Sequence, residues 1–424
     1  MKKIITFLLL FSTLVARPQL PDHVYKPNIR TVKLYKAGDI YSYPVMGLNS
    51  ADLLELHFDD LDASAKNCYY TYLLCNADWT PSELQPFDYI RGFQSMRITT
   101  YRYSSLSFTK YTHYQATLPD KNCMPFKSGN YLLKVFLNND TSDLLFTKRF
   151  MVVDTRISIG AQLLKPFNLQ LALSNQRIQI GVSTTNAQIN AFSPQDLKVV
   201  VLQNNTWATA MMINKPNIYR GNYYEYNDDA ISFPAGKEWR WVDLRTMRLR
   251  SDRVAKIVDT SKRVDIYVQP DVERKAQMYV YYHDLDGIYT VENADGNNPD
   301  WQSDYAYVHF TYVPPGNQAY PGSDLYLFGE LTNYTADNAS RMTFNPDKGA
   351  YEGTLFLKQG YYNYSYVMVA PDEDGRNRIT LANTEGNYDV TENTYTILVY
   401  YKAFGARYDE LLGYTQFSTL GSRR

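Results

Sequence analysis

Apolar and polar positions alternate in short runs along most of the chain, and the clearest run spans residues 53–58. Leu54, Leu56 and Phe58 alternate with Glu55, His57 and Asp59, the two-residue period of a half-buried β-strand. Asp59-Asp60 ends the run. Residues 69–74, Tyr-Tyr-Thr-Tyr-Leu-Leu, are aromatic, β-branched or aliphatic throughout and predict a strand buried on both faces. The exit, Asn76-Ala77-Asp78-Trp79-Thr80-Pro81-Ser82, gathers turn formers around a Trp, which reads as a structural corner or a binding loop. Ser82 is the expected N-cap of a single helical turn before Gly92. Further strands are predicted over residues 93–101, 112–118, 131–137 and 146–153. About seven short strands in about 130 residues is the count of an immunoglobulin-like sandwich, placed here at 22–153.

A second block, 154–314, carries strand patterns at 157–161, 178–184, 197–203, 208–213, 264–268, 278–282 and 305–312. In Glu238-Trp239-Arg240-Trp241 the period of two puts both Trp on one face and both charges on the other. Residues 284–304 are rich in Asn, Asp and Gly and read as a long loop, the kind more often functional than structural. Val313-Pro314-Pro315-Gly316-Asn317 is a linker signal. The last block, 318–424, contains the most aromatic strand pattern, residues 360–369. Its order of strand, Gly-Glu-x-x-Asn-Tyr loop, strand and Gly-Tyr-Tyr-x-Tyr strand resembles early-set and glycogen-binding-type sandwiches, in which exposed aromatics stack on sugars. No helix of three turns is predicted. The expected class is all-β, with tandem immunoglobulin-like or early-set β-sandwich domains and little helix.

Composition narrows the function. With 43 basic and 44 acidic residues and a net charge of −1, the chain lacks the electrostatic footprint of a nucleic-acid or anionic-membrane binder. The 39 Tyr suit pleated surfaces and wet interfaces. Lys2-Lys3, the apolar stretch 4–15 and Ala16 have the layout of a secretory signal peptide, expected to be 1–16. No Cys follows it, so lipid anchoring is not expected, and nothing else is long and apolar enough for a span. The three cysteines leave at least one unpaired. Cys68 and Cys75 sit at opposite ends of one strand, too far apart to pair with each other. Cys123 is left either to pair with one of them or to join them as small buried hydrophobes.

A search for chemistry returns little. His23, His57, His113, His283 and His309 fall in no HExxH, and no GxSxG elbow or phosphate loop is present. His57 and His283 stand beside carboxylates, as paired surface residues do. Asp286, Glu292, Asp295 and Asp300 suggest calcium, but their spacing departs from an EF-hand loop. No enzyme activity, metal, cofactor or small-molecule ligand is expected. Partner-binding candidates are Asp78, Trp79 and Pro81 in the 76–86 loop, then Arg245, Arg248, Arg250 and Arg253 in the strongest basic cluster, then the 284–304 loop. The bland reading of the arginines is a solvated strand face.

The segments LELHFDDLDASAKNCYYTYLLCNADWTPSELQPFDYIRGF, YTHYQATLP, SGNYLLKVF, GKEWRWVDL and ARYDELLGY resemble the successive motifs of the type IX secretion system plug proteins. The resemblance runs from Asn28 to Tyr414, and the first segment is the most specific. It implies a periplasmic protein at the inner face of the outer membrane. Such a protein would dock on the translocon β-barrel and seal its periplasmic opening when idle, with no chemistry. The alternative, resting on the last block, is an exported carbohydrate-binding β-sandwich protein.

Overall fold

The alternation at 54–58 becomes the strand Leu54–Asp60, and Leu54, Leu56 and Phe58 are wholly buried. In the computed structural model, which describes residues 21–187, 189, 194–260, 262–371 and 377–420, the chain is all-β. The expected signal segment, 1–16, lies outside those residues. Among the described residues the one α-helix is Pro299–Gln302, and no helix is long and apolar enough to cross a membrane. The turn expected from Ser82 is a 3-10 turn, Pro86–Asp88, entered through Gln85.

Three pairs of facing sheets each enclose a hydrophobic core. In the first, the sheet ordered Ile29–Lys36, Leu54–Asp60, Thr112–Leu118, Thr100–Tyr103 faces one ordered Val45–Gly47, Leu144–Val153, Gly129–Leu137, Cys68–Cys75, Met96–Arg97. Leu56 and Phe58 meet Tyr72, Tyr131, Phe146 and Phe150 between them. Cys68, Cys75 and Cys123 are buried and unpaired, small hydrophobes of this sandwich.

The second sandwich closes on strands from both ends of its sequence. Asn175–Ser183 pairs with Ser158–Leu164, Tyr223–Tyr226 and Ser232–Pro234. The facing sheet is Met211–Ile213, Leu197–Gln203, Thr394–Tyr401, Glu410–Ser418. Leu197, Val199 and Val201 point into the core with Ile397 and Val399. Val200 and Leu202, with Leu398 and Tyr400, point the other way onto Val45, Ala77, Met151 and Val153 of the first sandwich. Both faces of Leu197–Gln203 are therefore apolar and buried, which is why the run reads Val-Val-Val-Leu.

The third sandwich lies within the second in sequence. Its long strand Gly360–Pro371 pairs with Arg240–Asp243, Tyr289–Val291, Leu325–Phe328 and Asn377–Thr380. The facing sheet is Val254–Asp259, Val264–Val268, Tyr305–Val313, Ala350–Lys358, Thr343–Asn345. The linker signal at 313–317 is not a break between sheets: Tyr305–Val313 before it pairs with Ala350–Lys358 after it. Likewise residues 396–401, whose aromatic and aliphatic run predicts a last strand of the 318–424 block, fall in the strand Thr394–Tyr401, which belongs instead to the sheet of Leu197–Gln203.

The joint between the first and second sandwiches is a test of this packing. Leu398→Ala removes a side chain with no exposure at that joint and should cost about 2–5 kcal/mol, read as a fall in calorimetric Tm with the far-ultraviolet circular dichroism of the strands retained.

Candidate functional site

The polar face of Leu54–Asp60 is largely shut off from water, with only Glu55 partly exposed. The sequence predicts Glu55, His57 and Asp59 on a wet face, yet Asp59 is 0% and His57 8% exposed. The third sandwich covers that face. Asp59 Oδ2 accepts from Lys358 Nζ and Tyr305 Oη, both at 2.6 Å, and Asp59 Oδ1 lies 2.7 Å from His113 Nδ1. Lys358 ends the strand Ala350–Lys358 and Tyr305 opens Tyr305–Val313, so adjacent strands of the third sandwich deliver both groups to one carboxylate. Lys358 also donates to the Asp300 carbonyl at 2.5 Å and lies 4.3 Å from the Tyr111 ring centre. Burial alone would raise the Asp59 pKa, but Lys358 and His113 outweigh it and hold the carboxylate below its usual range.

This polar seam extends in both directions. Lys33, from the edge strand Ile29–Lys36, donates to Glu330 Oε2 at 2.5 Å and to the Tyr289 carbonyl at 2.9 Å. His57 Nδ1 lies 3.1 Å from His113 Nε2. Asp304 accepts from the Phe108 and Thr109 amides at 2.6 and 3.0 Å, and Arg102 sits over the Trp301 ring at 4.8 Å. The end of the 284–304 segment, read from sequence as a partner-binding candidate, thus packs on the first sandwich, while residues 294–296 stay exposed. His57, His113 and Asp300 bring donor atoms within 4.8 Å of one another beside a cavity of about 280 Å³. The two imidazoles are hydrogen-bonded to each other, and Asp300 stands 4.0 Å from His57 Nδ1.

The residues chosen from sequence for partner binding do not form one surface. Asp78 and Pro81 are exposed at the loop tip, with Asp78 Oδ1 accepting from the Thr80 amide and hydroxyl at 3.0 and 2.6 Å. Trp79 turns inward at a φ of 66° and meets Trp207 of the second sandwich edge-on at 5.0 Å, with the Arg149 guanidinium 4.9 Å from its ring. It is a packing anchor. The arginines also divide. Arg248 and Arg250 are exposed. Arg245 is chelated by Asp243 at 3.0 and 2.7 Å. Arg253 is half-buried and bonds Asp271 and, at 3.3 Å, Tyr364 Oη.

Arg240 is likewise buried, at 4% exposure, while Trp241 is only half-buried, the reverse of what two Trp on one face suggests. The reason is charge: Arg240 binds Glu385 and Asp271, and Arg274 joins it on Glu385. Burial pushes Glu385 up, but the two guanidiniums outweigh it and bring it down to about 2. Tyr364 and Tyr366 donate to Asp271 at 2.8 and 2.9 Å, and with Tyr362 they are fully buried. The sugar-stacking face expected of this aromatic strand is not available on those three rings. Sequence reasoning passed over Phe87 and Phe404, which stand 67% and 98% exposed beside a groove shared by the first and second sandwiches.

Residues 29–154 match the family model for the first domain of type 9 secretion system plug proteins. That span coincides with the first sandwich, whose strands begin at Ile29 and end at Val153. The family match therefore covers the first sandwich. A crystal structure of a hypothetical protein from Parabacteroides merdae is 31% identical over 95% of this chain and 100% of its own, with a TM-score of 0.89. No curated protein matches the chain. Lys33, Asp59, His113 and Trp79 lie within the family-matched span, and the four arginines lie outside it.

Two outcomes are expected of the seam. Lys358→Met strands the Asp59 carboxylate and should cost about 3–5 kcal/mol, whereas Asp59→Leu combined with Lys358→Met should recover part of that loss, both read as calorimetric Tm. The second is a pH effect. Burial, then the His113 and Lys358 charges, lower His57 from 6.5 to about 4 against the opposing pull of Asp300 and Asp59. The unfolded chain therefore binds a proton between those values that the folded chain refuses. Stability from His57 is complete above pH 6.5 and lost as pH falls toward 4. Tm of the wild type should fall more steeply than that of His57→Gln across this window.

Proposed function

We propose that this chain is a periplasmic subunit of the type IX secretion system that docks on the outer-membrane translocon barrel and closes its periplasmic opening when no substrate is in transit. The observation that carries the reading is the family match over the first sandwich. Physical character supports it. A plug must resist deformation, and here the third sandwich is held to the first by Asp59, Lys358, Lys33 and Glu330, while the second is joined through an apolar contact. A plug must also release, which favours a polar interface of moderate size over a large apolar one. Asp78 and Pro81 at one tip, and Arg248 and Arg250 on the third sandwich, are the members of the expected set free to supply such contacts. Trp79 and Arg253 support them from beneath. The role is one of gating and needs no reaction.

The test is capture of the barrel from solubilised envelopes by the tagged mature chain, with outer-membrane permeability to large antibiotics measured after deletion. Barrel capture and a leaky membrane are expected. Asp78→Lys with Arg248→Glu and Arg250→Glu should weaken capture about tenfold or more in low salt at unchanged Tm. No captured barrel together with unchanged permeability would overturn the reading.

A further inference from the structure

Among the described residues Glu238 and Asp284 are buried acids without an ion pair at the join between the second and third sandwiches, and half-buried Asp286 and Glu392 stand beside them. Glu238 precedes the strand Arg240–Asp243, Asp284 and Asp286 sit in the turn before Tyr289–Val291, and Glu392 precedes Thr394–Tyr401. Donor oxygens of Asp284, Asp286 and Glu392 lie within 4.8 Å of one another. Glu238 is 2% exposed, and its Oε1 accepts from the Tyr279 hydroxyl and, at 3.3 Å, from the Glu392 amide. Its other oxygen, Oε2, is buried with no hydrogen-bond partner, and so is Asp286 Oδ1. Asp284 accepts from the Trp239 and Asp286 amides.

Nearby cations are committed elsewhere. Lys237 Nζ is turned onto the Arg274 and Gln277 carbonyls, and Arg240 and Arg274 are on Glu385. Among the described residues none of the four carboxylates has an ion pair. Burial first, then the neighbouring carboxylates, raises Glu238 and Asp284 to about 7. The turn itself is fixed. Asp286 has a φ of 52° and Gly287 one of 84°, and a Cβ at Gly287 would stand 2.6 Å from the Trp239 ring. Any larger residue at 287 would displace the ring or the turn.

We propose that Glu238, Asp284, Asp286 and Glu392 form a calcium-binding site that clamps the third sandwich to the returning strands of the second. The donors are all hard oxygens, with no Cys or His among them, which excludes the usual zinc sets. Calcium holds oxygens at about 2.4 Å, and the Asp284, Asp286 and Glu392 oxygens, all within 4.8 Å of one another, can meet one such ion. Magnesium needs a tighter octahedron of about 2.1 Å radius. The linear spacing around Asp286 matches no EF-hand because the ligands come from three separate segments.

The experiment uses the mature chain stripped with chelator. Terbium is the probe, its luminescence sensitised through Trp239 and Tyr281, with calcium titrated in competition and Tm followed in parallel. One ion per chain is expected, with a Kd of about 1 mM or tighter, the range of extracellular calcium modules, and a Tm that rises with calcium but not with equal magnesium. Asp286→Asn should weaken binding about tenfold or more, and Glu392→Gln, on a separate segment, provides the same comparison if the first variant folds poorly. The proposal is overturned if the wild type shows neither terbium emission nor a calcium-dependent Tm. It is equally overturned if both variants keep wild-type affinity, or if they gain stability without calcium while the wild type ignores the ion.

Discussion

A carboxylate with no exposure cannot stay charged unless its lone pairs are met, and Asp59 is such a group at the centre of the molecule. One of its donors, His113, comes from its own sheet, and two, Lys358 and Tyr305, come from the third sandwich. Separating the sandwiches would part the Lys358 ammonium from its carboxylate and leave Asp59 with His113 alone, a penalty of several kcal/mol. The contact also has a register. Apolar surfaces slide past one another at small cost, whereas a carboxylate holding three donors near 2.6 Å tolerates little displacement. The position of the third sandwich on the first therefore follows from the geometry of one side chain, with Lys33 and Glu330 as a second fixed point.

The other joints follow from the chain path. Having entered the third sandwich after Pro234, the chain must return to finish the second, and polar networks mark where it does. Glu385, held by Arg240 and Arg274, anchors the segment that follows Gly360–Pro371 and its partner strand. A few residues on, the Asn393 side chain donates to Gln176 and to the Ala235 carbonyl, at 3.0 and 2.9 Å, and accepts from Asn204 at 2.8 Å. These amides knit the outgoing and returning chain together just before Thr394–Tyr401 enters its sheet. Glu238 and Glu392 lie between the two networks, which is why their charge matters to the same joint.

Much of this was readable locally and little of it globally. The alternation at 54–58 predicts the strand and its three core residues correctly, because period and burial of one face are local properties. It gives Asp59 the wrong surroundings, because a polar face looks the same in sequence whether it meets water or a Lys 299 positions away. Residues 69–74 show the converse error: they are apolar enough for two buried faces, yet Tyr69, Thr71 and Leu73 are only half-covered, since the second sandwich reaches only part of that sheet. The Arg245 to Arg253 run looked like one basic patch, but Arg253 turns inward to Asp271 while Arg248 stays out. Thr394–Tyr401 was legible as a strand and illegible as a partner of Leu197–Gln203, because a strand that is apolar on both faces carries no sign of which sheet will take it.

The same packing limits where a partner can meet the family-matched sandwich. One sheet of it is covered by the seam, and part of the other by the second sandwich. What remains are its loops and its edges. The edge strand Thr100–Tyr103 is exposed along its whole length, with Tyr101 and Tyr103 at 42% and 55%, and an edge presents unpaired backbone donors and acceptors. The loops add Asp78, Pro81 and Phe87. Tyr at such an edge offers a broad amphipathic surface at small entropic cost, and Phe87, Phe93, Leu106 and Phe108 add exposed apolar groups on the same sandwich. With its interior fixed by the Asp59 and Lys33 contacts, the first sandwich leaves its loops and the open Thr100–Tyr103 edge as its accessible surface.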